Sequence, residues 1–162
     1  PTQVRGMGLR LSNEIAPDMY NYGHLQVLFD DGTIGWYEAG WGPMMSETAF
    51  FVKDIISPNG CVSIVMTEGA KSDDHDTHTK TNSIRIHRAA TKPGGGFAKP
   101  DDLLSMTDEP GHDELCAREQ GYMLKAIRED IDLSRHMDDA VQSLRICIAA
   151  DESIRSGKPV DL

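Results

Sequence analysis

The sequence predicts an α+β fold: an open antiparallel sheet of five to six strands, mainly a meander, with two C-terminal helices on one face. Three observations lead to it. Apolar and polar residues alternate in short runs through the first half of the chain, strong turn dipeptides separate those runs, and after Gly111 the period becomes helical. Strands first and helices last is the order of an α+β domain.

The first strand runs from Val4 to Leu11, with Arg5, Met7, Leu9 and Leu11 on one side and Val4, Gly6, Gly8 and Arg10 on the other. After a loop over Asn13 to Asn21, His24 to Asp30 places Leu25, Val27 and Phe29 on one face. Asp31-Gly32 then turns the chain into Ile34 to Trp41. Phe50 to Ser57, a turn at Asn59-Gly60, and Cys61 to Met66 repeat the pattern, with Val62, Ile64 and Met66 on one side.

Thr67 to Asn82 lacks a period, Ser83 to Arg88 is a fifth strand carrying Ile84 and Ile86, and Thr91 to Pro110 reads as a surface loop. Asp113 to Glu129 is a helix with an apolar stripe of Leu115, Tyr122, Met123, Ala126 and Ile127. The last helix carries Met137, Val141, Leu144 and Ile148, with Ala140 and Cys147 beside them, as its buried stripe. Ser134 is its expected N-cap and Gly157 with Pro159 its stop, after which Val160 to Leu162 adds a short strand.

A chain of 162 residues with ordinary apolar and charged content has the size of one domain, residues 1–162. Its net charge of −10 argues against nucleic acid, which asks for a basic face. No apolar run is long enough to span a membrane. Cys61, Cys116 and Cys147 lack metal-type spacing, and their odd number reads as reduced thiols in a cytoplasmic protein, with Cys61 in a strand and Cys147 in a helix core.

Two helices cover only part of such a sheet, and Phe29, Trp36, Tyr37, Trp41, Phe50 and Phe51 cannot all lie beneath them. The remaining face is therefore expected to lie against another domain or subunit, which makes a homo-oligomer the expected state. Trp41, Tyr37 and Trp36 are the aromatic candidates to face a small-molecule substrate, although strand aromatics mostly pack. Asp73-Asp74-His75-Asp76-Thr77-His78 has donor types that could hold a divalent metal, but a long polar loop is a poor scaffold, so no metal is assigned.

The tail "AIREDIDLSRHMDDAVQSLRICIAADESIRSGKPVDL" contains an acidic step ending at Asp130, a His-x-x-x-Ala segment at His136 to Ala140, and a closing Glu152, Ser153, Gly157, Lys158 and Val160. Together with "LQVLFDDGTIGWYEAGW" and "FVKDIISPNGCVSIV", it resembles the C-terminal half of the glucose-fructose oxidoreductase and inositol dehydrogenase (Gfo/Idh/MocA) family. The resemblance implies a parent in which an N-terminal Rossmann domain holds NAD or NADP, while this domain shapes the sugar or polyol side and builds the dimer.

The departures from that family are equally specific. No G-x-G-x-x-G opens a helix, and Gly94-Gly95-Gly96 reads as a loop rather than a phosphate cradle. The family's catalytic Lys stands in Glu-Lys-Pro, for which Ala98-Lys99-Pro100 lies in the wrong place. Its Asp-x-x-x-His pair precedes the sheet, so Asp132 with His136 and Asp74 with His78 match by spacing alone, and the former is expected to be a helix cap or surface contact.

The expectation is therefore a fragment with neither catalytic nor cofactor-binding residues of its own, partnered by a Rossmann domain. The alternative is a stand-alone binding or scaffold module of the same fold.

Overall fold

The computed structural model describes residues 1–40, 42, 53–65, 81 and 83–162. It is α+β, and its strands are all paired antiparallel. Strands β1 (Gln3–Leu9), β2 (Tyr22–Leu28) and β3 (Ile34–Gly40) form a meander. Strands β4 (Asp54–Ser57), β5 (Gly60–Val65), β6 (Ser83–Arg88) and β7 (Asp102–Ser105) form a second one. Helices α1 (His112–Glu129) and α2 (Ser134–Ser156) and the short β8 (Val160–Asp161) follow among the described residues.

One sheet of five to six strands was expected. Among the described residues there are instead two sheets of four, ordered β3-β2-β1-β8 and β4-β5-β6-β7. Turn residues and alternation select hairpin partners, but they carry no information on which hairpins join across a longer connection. Strand β7 lies within the segment read as loop, because "DLLS" is too short to alternate and leaves Leu103 and Leu104 exposed.

The contacts divide the chain into two units, Pro1–Ser46 with Lys125–Leu162, and Glu47–Leu124. In the first unit, β2 and β3 join through a loop in which the Phe29 N–H donates to Thr33 O and Gly32 takes a positive φ of 83°. Asp31 accepts the Thr33 N–H at 2.8 Å, and that bond holds its carboxyl below the ordinary range.

The core of this unit is small: Val4, Val27, Ala149 and Ala150, flanked by Leu25, Phe29, Ile146, Val160 and Leu162. Helix α2 lies on β1 because both surfaces are cut down. A Cβ on Gly6 would stand 2.7 Å from the Ala150 carbonyl oxygen, and one on Gly8 would stand 2.9 Å from the Tyr20 ring. Tyr20 in turn donates to Asp151, which also accepts from Arg155, so the loop before β2 is tied to the helix.

This contact reverses the expected orientation of α2. Met137, Val141, Leu144 and Ile148, read as its core stripe, are all exposed, as are Ala140 and Cys147. The packed side carries Ile146, Ala149, Ala150 and Ser153, since close approach to a glycine-bearing strand selects small residues. In α1, only Ala126 of the expected stripe is buried; Leu115, Tyr122, Met123 and Ile127 are exposed.

The ends of α2 also differ in part from expectation. Ser134 is its first helical residue rather than its cap, and Asp132 Oδ1 accepts the Ser134 N–H at 2.9 Å. Gly157 closes the helix as expected, in the left-handed conformation (φ 70°), donating to Ser153 O at 2.8 Å. Strand β8 then pairs Val160 with Val4.

In the second unit, β4 to β7 form a two-faced sheet. Ile55, Val62, Ile64, Ile84, Ile86 and Leu104 share one side, and Cys61, Ser63, Arg85 and His87 lie on the other. No described residue of this unit is fully buried.

Candidate functional site

The register of β1, β2 and β3 places Arg5, Met7 and Leu9 beside Gln26, His24 and Tyr22, and Leu28, Gln26 and His24 beside Ile34, Trp36 and Glu38. This is the face of the first sheet opposite α2. It is open: Met7, Leu9, Ile34 and Trp36 each expose more than half of their surface.

Aromatic and hydrogen-bonding contacts order this face. The His24 and Trp36 rings stack at 4.8 Å with their planes 10° apart, as a diagonal cross-strand pair. Tyr22 donates to Glu38 at 2.6 Å, and this bond, with a smaller contribution from desolvation, raises the phenol above its ordinary range. His24 Nδ1 is buried and has no hydrogen-bond partner among the described residues. Toward β8 a shallow depression of about 230 Å³ is lined by Gln3, Arg5, Gln26, Leu28, Ile34 and Pro159.

The sequence candidates separate. Trp36 belongs to this open face, whereas Tyr37, opposite Leu25, points to the side on which α2 lies and is itself exposed. Neighbouring strand residues face opposite ways, so the two cannot grip one ligand together. Trp41 lies outside the described residues, as does the Asp73 to His78 cluster. Among the described residues no three His, Cys, Asp or Glu side chains are grouped to hold a metal.

Gly94, Gly95 and Gly96 form the tip of a small hairpin bridged by Thr91 and Phe97, and the next described helix begins at His112. Asp132, read as a cap or surface contact, accepts the Ser134 backbone N–H, which lowers its carboxyl below the ordinary range.

Several of the tail residues that carry the resemblance hold the fold together. Asp130 adopts a left-handed conformation (φ 52°) just after α1, and the Ile131 N–H donates back to Ala126 O at 3.0 Å. Ser153 is buried between α2 and β1, where its hydroxyl accepts the Gly6 N–H at 2.9 Å and donates to Lys158 O at 2.6 Å. Ser153, Gly157, Lys158 and Val160 thus form one lock, joining the end of the last helix to the first strand.

A scan against protein-family models finds no match, and a search of curated proteins finds none either. No helix among the described residues is long and apolar enough to cross a membrane.

Two groupings were not read from the sequence. On the polar side of the second sheet, His87 Nδ1 meets Asp101 at 2.8 Å, Phe97 packs edge-on against the His87 ring, and Cys61 stands opposite His87 with its sulfur 3.1 Å from Ser63 Oγ. On α1, Cys116 Sγ lies 3.5 Å from His112 Nε2. The first depends on strand register. The second was legible as His-x-x-x-Cys, the spacing that places two side chains one turn apart on a helix.

Proposed function

We propose that this chain is the sheet-building, carboxy-terminal half of an NAD- or NADP-dependent sugar or polyol oxidoreductase. By itself it does not turn over; its work is to associate and to shape the substrate side. The cofactor belongs to a Rossmann partner, and a second copy of the chain is the expected occupant of the open sheet face.

The observation that carries this reading is the one-sidedness of the first sheet. Helix α2 covers Val4, Gly6 and Val27, while the opposite side of the same strands leaves Met7, Leu9, Ile34 and Trp36 to solvent. Apolar area of that kind marks an interaction surface. The resemblance in the tail and in both hairpins supplies the enzyme class.

Two experiments test it. Nicotinamide fluorescence of NADH or NADPH titrated with the purified chain should show no tight binding; saturation by this chain alone overturns the assignment of the cofactor to a partner. The coding sequence immediately upstream should specify a Rossmann half with Glu-Lys-Pro near its end. A start codon directly before Pro1 favours the stand-alone scaffold instead.

A further inference from the structure

We propose that Cys116 is a modification site, a thiol that reacts with hydroperoxides with His112 as its base. Cys116 Sγ stands 3.5 Å from His112 Nε2, one turn earlier on α1, and both residues are partly exposed, so solutes reach the pair. A thiol with an imidazole in hydrogen-bond reach can give up its proton as sulfur attacks.

The other thiols are placed differently. Cys61 stands opposite His87 in the strand register, but its sulfur meets Ser63 Oγ and the His87 Nδ1 meets Asp101, while Cys147 is exposed on α2. Charged residues near the pair along the helix include Asp113, Glu114, Arg118 and Glu119, of which Glu114 and Arg118 form an ion pair with each other.

In the reaction the sulfur attacks the terminal oxygen of the hydroperoxide, so an S–O bond forms and the O–O bond breaks. The thiol proton passes to His112 Nε2 and then to the leaving oxygen, which departs as water or an alcohol. Sulfur is oxidised by two electrons, the peroxide is reduced by two, and the product is a sulfenic acid.

The test exposes the folded chain to hydrogen peroxide with a dione trap for sulfenic acid and maps the label by peptide mass. Accessibility alone ranks the exposed Cys147 first. The proposal expects Cys116 to label at least about fivefold faster than Cys147 and Cys61, and His112→Gln to remove that advantage. Equal or faster labelling of Cys147 overturns it, as does an unchanged Cys116 rate in a His112→Gln variant with a native circular dichroism spectrum. If that variant does not fold, the ranking of the three thiols in the unaltered chain decides.

Discussion

Replacing Ser153 with Ala removes one oxygen atom from the point where the last helix meets the first strand. Ser153 is 1% exposed, and its hydroxyl accepts the Gly6 N–H and donates to Lys158 O. Two hydrogen bonds are lost, each with a net contribution of about 1 kcal/mol, and the Gly6 N–H is left buried on the side of β1 that β8 does not reach. Desolvation of that donor brings the expected loss to about 2–4 kcal/mol. Urea unfolding followed by circular dichroism should show a lower midpoint at an unchanged slope. Ser156→Ala, a turn-forming hydroxyl on the exposed side, serves as control and should stay within about 0.5 kcal/mol. If Ser153→Ala falls within that same margin, the lock does not hold helix to strand as argued.

Three further outcomes follow from the same geometry. Gly6→Ala should destabilise by about 1–3 kcal/mol or prevent folding, because its Cβ meets the Ala150 backbone rather than a side chain that can swing away; a neutral result in urea contradicts the close approach. Leu144→Gln should leave unfolding within about 0.5 kcal/mol of the parent, whereas a loss of several would restore the core stripe the sequence predicts. For pH, Asp151 is lowered by its hydrogen bond from Arg155, so its contribution is present above about pH 4 and is lost as pH falls through the depressed value. Tyr20 is raised, first by burial and then by its bond to Asp151, so its contribution is present below about pH 10 and fades as pH rises through the elevated value. Asp151→Asn should flatten the acid side of a stability-versus-pH curve, and an unaltered acid limb contradicts the coupling.

Apart from β7, which falls in a stretch read as loop, the described strands and helices were legible because each announces itself locally. Ser83 to Arg88 alternates apolar and polar residues as a strand with two unlike faces must, and Gly157 ends α2 by the conformation that its missing side chain permits. The inward face of α2 was not legible. Periodicity weights large apolar residues, and at this contact the large ones, Met137, Val141, Leu144 and Ile148, stay outside while Ala149, Ala150 and Ser153 let the backbones approach. The open face was half legible. Trp36 and Tyr37 were singled out, but their separation onto opposite sides and the stack of Trp36 on His24 depend on how β2 aligns with β3. Cys61 beside His87 required register in the same way.

Sedimentation equilibrium across the micromolar range, on the chain and on Trp36→Glu, bears most directly on the open sheet face. The chain should associate in a concentration-dependent way. The variant, with a charge in place of an exposed aromatic, should weaken that association by about thirtyfold or more. A chain that stays monomeric throughout, or a variant that associates as tightly as its parent, would contradict the claim that this face was built to be covered by a second copy.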